Sequence, residues 1–197
     1  AGKVVVKVSQ GNGEVSETFD LAPGQEIAKD MVIGLGRVVV RGFYDESQQI
    51  DDSGLRVRFK KAQKRIDGTR EDVGTEYGTE TSMDLTPGDY VAEMTMQSAS
   101  GEQPFSVKLA ELTEVKVVLN AGVVAIEAPG AGSIRIYEAK KDIQGNRKEI
   151  TREYGDKVQT TLAAGDYVAV TKYETDKADS ETPFTVKVGE RTEVTVP

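Results

Sequence analysis

The sequence predicts an all-β chain of tandem antiparallel β-sandwich modules, preceded by a partial repeat. Apolar and charged residues alternate strictly over 55–60 (Leu-Arg-Val-Arg-Phe-Lys), and apolar residues occupy every second position over 90–96. This period of two places one row of side chains on the buried face of a strand. No stretch keeps helical spacing with caps, and residues 47–50 could form one turn at most. Turn signals at close spacing, with about seven strand patterns per module of roughly 80 residues, favour sandwiches.

The chain also repeats itself, which is its most specific feature. Residues 86–92 (Thr-Pro-Gly-Asp-Tyr-Val-Ala) match 163–169 (Ala-Ala-Gly-Asp-Tyr-Val-Ala), and 104–108 (Pro-Phe-Ser-Val-Lys) match 183–187 (Pro-Phe-Thr-Val-Lys). Three further blocks follow in the same order: 55–58 with 134–137, 76–78 with 153–155, and 113–117 with 192–196. Five matches in one order indicate duplication of a whole module. Within the first of them, Pro87-Gly88 predicts a type II turn.

A partial third copy precedes the two complete ones. Residues 16–19 (Ser-Glu-Thr-Phe) match 180–184, and residues 3–8 are expected in the place of 167–173. Because this copy starts in the middle of a module, we expect the chain to be a piece of a longer protein. The expected units are the C-terminal half of a preceding repeat at 1–34, a sandwich at 35–119 and a sandwich at 120–197.

Residues 1–34 contain strand patterns at 3–8 and 16–21 and a weaker one near 27–33. Gly11-Asn12-Gly13 is expected to turn the first strand into the second as a hairpin. A lone hairpin buries too little apolar surface to offset its ordering entropy. We therefore expect the segment to pack on the module at 35–119. The alternative is self-association of two chains through an open strand edge.

Composition argues against several classes of function. The chain has no histidine and no cysteine, so it lacks the commonest general base, the commonest zinc ligand and any disulfide. Its net charge of −8 argues against nucleic-acid binding, which needs clustered Lys and Arg. No apolar run reaches the length of a membrane span. We expect no enzymatic activity, no cofactor and no membrane span in this sequence.

The repeated blocks resemble a known family. The runs Pro-Gly-Asp-Tyr-Val at 87–91, Pro-Phe-Ser-Val-Lys at 104–108 and Leu-Asn-Ala-Gly at 119–122 are similar to tandem modules of bacterial proteins that carry a von Willebrand factor A domain. Those modules resemble carboxypeptidase-regulatory and collagen-adhesin B-type sandwiches, which are prealbumin-like or Ig-like. The resemblance implies a periplasmic, extracellular or cell-surface location. The metal-binding Asp-x-Ser-x-Ser motif of the von Willebrand domain is absent from this chain.

The loop at 45–54 is the best candidate for a metal site. Asp45, Glu46, Asp51 and Asp52 offer oxygen ligands of the kind that calcium prefers. Their spacing does not match an EF-hand loop, and the counterpart at 128–133 has no acidic residue. We therefore expect a solvated loop and no metal site.

An isopeptide crosslink, which collagen-adhesin modules often form, has weak candidates here. Lys3 and Asn120 would supply the bond, with Glu93 or Glu127 as the assisting acid. Glu93 lies on the outward phase of its strand, and the second copy ends without an equivalent asparagine. We expect no crosslink.

Tyr90 and Tyr167 stand at equivalent places and open inward-facing rows of their strands. We expect core tyrosines whose hydroxyls hold a loop, with sugar stacking as the alternative. Tyr77 and Tyr154 lie beside loop glycines and are expected to be half exposed.

These features predict a non-enzymatic structural or spacer array in a larger bacterial envelope or surface protein. Two alternatives stay open: a module that binds a carbohydrate or protein partner, and an accessory domain of an enzyme encoded elsewhere on the full chain. The acidic loop at 45–54 and the basic stretch at 56–65 occur in the first copy only, and they are the sole hint of a dedicated face.

Overall fold

The computed structural model describes residues 2–174 and 178–196 and confirms the all-β prediction. Within those residues it has sixteen strands and no helix, and therefore no helix that could cross a membrane. The leading hairpin consists of β1 (Gly2–Gln10) and β2 (Gly13–Leu21). The first copy consists of β3 (Gly36–Phe43), β4 (Arg56–Lys64), β5 (Arg70–Tyr77), β6 (Glu80–Leu85), β7 (Gly88–Met96), β8 (Ala99–Val107) and β9 (Leu112–Val118). The second copy consists of β10 (Ala121–Glu127), β11 (Ala131–Lys141), β12 (Arg147–Tyr154), β13 (Lys157–Ala163), β14 (Gly165–Tyr173), β15 (Ser180–Val186) and β16 (Arg191–Thr195).

Each copy combines a three-stranded and a four-stranded sheet. The strand orders are β6-β3-β9 and β5-β4-β7-β8 in the first copy, and β13-β10-β16 and β12-β11-β14-β15 in the second. All pairs are antiparallel except β3 with β9 and β10 with β16, which are parallel. The tandem-sandwich prediction is thus confirmed, with one parallel pair in each copy that the alternation of residues did not reveal.

The two sheets of each copy bury one apolar core between them. In the first copy, Val38 from the three-stranded sheet and Phe59 from the four-stranded sheet belong to one apolar cluster, and both are fully buried. In the second copy, Val124 and Ile136 belong to one cluster in the same way. Burying such a side chain stabilises the fold by about 1.5–3 kcal/mol. The alternation over 55–60 is confirmed, since its apolar members are buried and its charged members face outward.

The copies share strand register as well as strand order. Tyr90 lies opposite Phe105 in β7 and β8, and Tyr167 lies opposite Phe184 in β14 and β15. In both pairs the rings stack with centroids 5.7 Å apart. The duplication read from five sequence blocks therefore extends to individual contacts.

The leading hairpin forms as predicted, with Gly11 and Asn12 as its loop. One detail of the predicted alignment is wrong by a residue. Val4, not Lys3, lies opposite Phe19 and so occupies the place of Tyr167. The shift arises because the complete copies contain a proline before the Phe that the partial copy lacks.

The weaker strand pattern near 27–33 does not form a strand. In the complete copies the corresponding strands, β9 and β16, each pair in parallel with the first strand of the same copy. The partial copy provides no such partner within residues 2–34, and a strand needs a partner for its backbone hydrogen bonds.

Two local sequence patterns differ from the structure. Leu109 and Val188 follow Val107 and Val186 at the next alternate position, which by sequence places them on the inward rows, but β8 and β15 end two residues earlier and both side chains are exposed in the following turns. The predicted type II turn at Pro87-Gly88 requires φ of about +80° at the glycine. Gly88 instead has φ of 152°, and Gly165 has φ of 159°. Glycine is still favoured there, because few other residues adopt such a positive φ.

Candidate functional site

The acidic loop at 45–54 is held as a tight turn by its own backbone. Asp45 Oδ1 accepts hydrogen bonds from the backbone N–H groups of Ser47 and Gln48, both at 2.7 Å. These two donors lower the pKa of Asp45 below its usual 3.8. Ile50 anchors the loop, since its side chain is fully buried in the first core. The carboxylate of Asp45 is therefore occupied in shaping the turn.

The other calcium candidates point to separate partners. The Glu46 carboxylate lies 2.7 Å from Nζ of Lys116, and Asp52 Oδ1 accepts a 2.7 Å hydrogen bond from the N–H of Gly54. Asp51 is exposed. In the described part of the chain, no three acidic side chains converge as a metal site would require. The four acids predicted as weak candidates are thus not brought together, and the absence of a metal remains a prediction.

The same loop forms one side of the joint between the two copies. The N–H of Ala121 donates to the carbonyl of Tyr44 at 3.2 Å, and the N–H of Gly189 donates to the carbonyl of Ala121 at 2.9 Å. A Cβ atom at Gly189 would lie 2.8 Å from Oδ2 of Asp45 and 3.2 Å from Oε1 of Gln48. The loop therefore packs directly on the turn at 187–190. A cleft of about 80 Å³ beside this contact is lined by Gln48 of the loop and Gly189 of the turn.

The turn between β7 and β8 forms the other side of the joint. The N–H of Ser98 donates to the carbonyl of Thr161 at 3.2 Å, and the Gln97 side-chain oxygen accepts the N–H of Thr161. The N–H of Ala164 donates to the carbonyl of Asn120 at 2.8 Å. Asn120 has a positive φ of 48°, which asparagine tolerates better than most residues. Contacts on two sides oppose bending of the joint in either direction.

One hydrogen bond next to the joint recurs at the start of the first copy. The N–H of Ala110 donates to the carbonyl of Leu35 at 2.8 Å, which repeats the bond from Gly189 to Ala121. A Cβ atom at Gly34 would lie 2.5 Å from Leu109, so the backbone approaches that exposed leucine closely. The bond from this turn to the start of the first strand is thus present in both complete copies.

Tyr90 and Tyr167 are core tyrosines, as predicted. Each hydroxyl donates to the carbonyl four residues earlier, Thr86 or Ala163, at 2.9 Å. Burial raises the pKa of Tyr167 above its usual 10.0. The loops before β7 and β14 are therefore fixed from inside the core, and neither ring is free for sugar stacking. Tyr77 and Tyr154 are more exposed than predicted, at 67% and 75%.

The basic stretch at 56–65 lies on the outer face of the four-stranded sheet of the first copy. Lys60 pairs with Glu93, which lies on the outer face as predicted, and this ion pair lowers the pKa of Glu93. Beyond the pair, an open groove of about 790 Å³ crosses the end of β4. Its lining residues are Lys61, Ala62, Gln63, Lys64, Arg65, Glu71 and Asp89. The groove is mixed in charge, with the basic side chains in excess.

One repeated contact was missed from sequence. Arg70 in β5 lies 3.4 Å from Glu102 in β8, and Arg147 in β12 lies 3.0 Å from Glu181 in β15. Each pair joins the two edge strands across the outer face of a four-stranded sheet. The sequence could have revealed this ion pair, because the arginine and the glutamate occur at matching positions in the two copies.

The crosslink candidates lie in different parts of the fold. Lys3 is exposed in the hairpin, and Asn120 sits at the joint between β9 and β10. Glu127 pairs with Lys157 at 2.8 Å. Nothing brings these groups together, and the absence of a crosslink remains a prediction.

Comparisons with known proteins give distant structural likenesses alone. No protein-family profile and no curated protein sequence matches the chain. The TIE protein of Bacillus anthracis aligns with 99% of this chain and 41% of its own, at 14% identity and a TM-score of 0.34. The chain thus spans about two fifths of that protein's length.

Two solved pilins are similar over most of both chains. The minor pilin GBS52 of Streptococcus agalactiae aligns with 82% of this chain and 94% of its own, at 13% identity and a TM-score of 0.41. The shaft pilin spaA of Lactobacillus rhamnosus GG aligns with 82% and 97%, at 12% identity and a TM-score of 0.36. At these values the likenesses carry no argument about function.

Proposed function

We propose that this chain is a structural spacer: an array of β-sandwich modules in which each module is fixed to the next by a short, bonded joint. The units are a half module at 1–34 and modules at 35–119 and 120–197. The observation that carries the proposal is the joint at Asn120, which is hydrogen-bonded on both sides. A spacer that holds other domains at a set distance needs such stiffness.

The length of the connection supports this role. Strand β9 ends at Val118 and β10 begins at Ala121, so two residues connect the copies. Leu119 and Ala121, on either side of Asn120, are both buried in the first core. Flexible linkers are longer and rich in Gly and Ser. A connection whose flanking side chains are core residues cannot swing without exposing them.

The acidic loop gains a role in this proposal. It occurs in the first copy, where a following module must be held, and its turn packs on residues 187–190 of that module. The difference between the copies at 45–54 then reflects the joint, and no ligand is needed to account for it.

We further propose a location in the bacterial envelope or at the cell surface, on the resemblance to modules of von Willebrand factor A domain proteins. A second candidate function is binding of an acidic partner. The observation that favours it is the basic groove at the end of β4, which has a counterpart at the end of β11. Both grooves are open and shallow, so we rank this role below the spacer.

Residual dipolar couplings measured on the whole chain in one aligned sample test the proposal. A spacer predicts that couplings from β3–β9 and from β10–β16 fit a single alignment tensor. Gln97→Ala removes the acceptor of the Thr161 N–H and should lower agreement with one tensor. The control is Gln103→Ala, since that exposed side chain bonds only its neighbour's carbonyl, Pro104. Two unrelated tensors in the unmodified chain would contradict the proposal.

A further inference from the structure

The leading hairpin has the register of the hairpins inside the complete copies. Val4 lies opposite Phe19, as Tyr90 lies opposite Phe105 and Tyr167 lies opposite Phe184. β1 therefore corresponds to β7 and β14, and β2 corresponds to β8 and β15. The two complete copies then show which elements normally cover this hairpin.

In the complete copies the first strand of the hairpin is paired on both edges. β7 lies between β4 and β8, and β14 lies between β11 and β15. β1 pairs with β2 alone, so its other edge offers unpaired backbone N–H and carbonyl groups. A complementary strand could add there.

The inner face of the hairpin is exposed where its counterparts are buried. Val4 and Val6 are 40% and 38% exposed, whereas Tyr167 and Ala169 at the same places are 7% and 0% exposed. Together with Phe19, Leu21, Ile27 and Met31 they line an apolar groove of about 270 Å³. Apolar side chains in this arrangement favour an apolar partner.

The segment at 26–32 is a second unpaired element. It follows Phe19 at the same spacing at which β9 follows Phe105. β9 is a strand because β3 pairs with it in parallel, and no strand pairs with 26–32. The half module thus has two places for strands, one beside β1 and one beside 26–32.

One position in the segment 26–32 differs in residue type from its counterpart in β9. Lys29 stands where the first copy has the buried Val115. Its ammonium group pairs with Glu17 and lies 5.6 Å from the centre of the Phe19 ring. The counterpart of Glu17 in the first copy is Gln103, which is exposed at the edge of the sandwich. The ammonium group can therefore stay at that edge when the groove is covered.

We propose that residues 2–32 form a docking surface for a polypeptide with the strand pattern of the first half of this repeat, the pattern of residues 121–163. One of its strands would pair with the free edge of β1 in the antiparallel register of β11 with β14. Another would pair in parallel with 26–32, as β10 does with β16. The proposal rests on the repeat organisation proposed above and not on the stiffness of the joint.

The complete second copy fixes the expected register. There Ile136 lies opposite Ala169 and Ile134 lies opposite Thr171. The corresponding residues of β1 are Val6 and Val8. The incoming strand should therefore place two isoleucine-like residues beside these valines, on the face that is now exposed.

To test the proposal, a copy of residues 121–163 is fused in front of Ala1 of the full chain, and amide hydrogen exchange is measured. The copied segment ends at the place where Ala164-Gly165 follows in the second copy, and Ala1-Gly2 follows it here. We expect exchange in residues 2–10 and 26–32 to slow by about 100-fold or more, as for strands that join a packed sheet. The control carries Ile134→Asp and Ile136→Asp in the copied segment alone, and should exchange as the unmodified chain does.

Three results would overturn the proposal. The first is equal exchange in the grafted and control chains. The second is a copied segment that stays unprotected while both original copies remain folded. The third is strong protection of residues 2–10 in the unmodified chain together with dimer formation, which would mean that β1 pairs with a second copy. Couplings from β3–β16 report on the joint separately, so failure here is distinguishable from failure of the spacer proposal.

Discussion

Replacing the two core tyrosines by phenylalanine compares equivalent sites within one chain. Tyr167→Phe removes one hydrogen bond, from the hydroxyl to the carbonyl of Ala163 at 2.9 Å. Tyr90→Phe removes the equivalent bond to the carbonyl of Thr86, a 2.8 Å bond from Nζ of Lys61 to the hydroxyl, and a 3.0 Å bond between the Tyr90 and Thr86 hydroxyls. Both variants keep the ring and its stacking partner, so packing is retained.

The structure sets the expected size of each loss. A neutral hydrogen bond contributes about 1 kcal/mol net, and one with a charged donor contributes about 1.5–3 kcal/mol. We expect Tyr167→Phe to cost about 1 kcal/mol. Tyr90→Phe should cost about 2 kcal/mol, below the range of about 2.5–4 kcal/mol summed for the carbonyl and Lys61 bonds alone, because the side chains of Lys61 and Thr86 are partly hydrated and can bond water instead. A difference of about 1 kcal/mol is roughly a fivefold change in an opening equilibrium.

Amide hydrogen exchange in β7 and β14 measures the two opening equilibria separately in one sample. Tyr77→Phe is the control, because that side chain is 67% exposed and should change stability by less than about 0.5 kcal/mol. The reasoning fails if Tyr167→Phe costs as much as Tyr90→Phe, or if neither differs from the control.

Three further predictions concern pH, packing and metal. The folded-state pKa of Tyr167 is raised above 10.0, so the stabilising contribution of its protonated hydroxyl is complete below pH 10 and is lost as the pH rises through the raised pKa. Alkaline unfolding experiments should show a smaller loss of stability in Tyr167→Phe. Ile50→Ala should cost about 2–5 kcal/mol in chemical denaturation, since Ile50 is fully buried, and a neutral result would show that the loop is not anchored. Calcium and chelators should leave the melting temperature unchanged; a calcium-dependent rise would overturn this, and Asp51→Ala with Asp52→Ala would then locate the site.

Local patterns in the sequence predicted most of the fold. Strand alternation depends on neighbouring residues, so the buried row of Leu55, Val57 and Phe59 was recognisable without any tertiary information. The duplication added information about residues far apart in the sequence, because equivalent blocks must occupy equivalent places in the two copies. It correctly aligned Tyr90 with Tyr167, and the inward phase predicted their core role.

Features that depend on a distant partner could not be predicted in the same way. Residues 27–33 have a strand pattern but lack the parallel partner that β9 finds in β3. The acidic loop has the composition of a cation site, yet Asp45 is used by its own backbone and the loop packs on Gly189. In both cases the residue types were identified correctly, and the pairing that decides their role lies far along the chain.

The central claim is that the two copies are held in one fixed arrangement, and a distance distribution between them tests it most directly. The chain has no cysteine, so Glu76→Cys and Glu153→Cys would provide two unique sites for spin labels. Both positions are exposed and lie in the equivalent edge strands β5 and β12. Pulsed electron paramagnetic resonance should give a single narrow distribution, which broadens when Gln97→Ala is added. A broad or multi-component distribution in the otherwise unmodified chain would contradict the account.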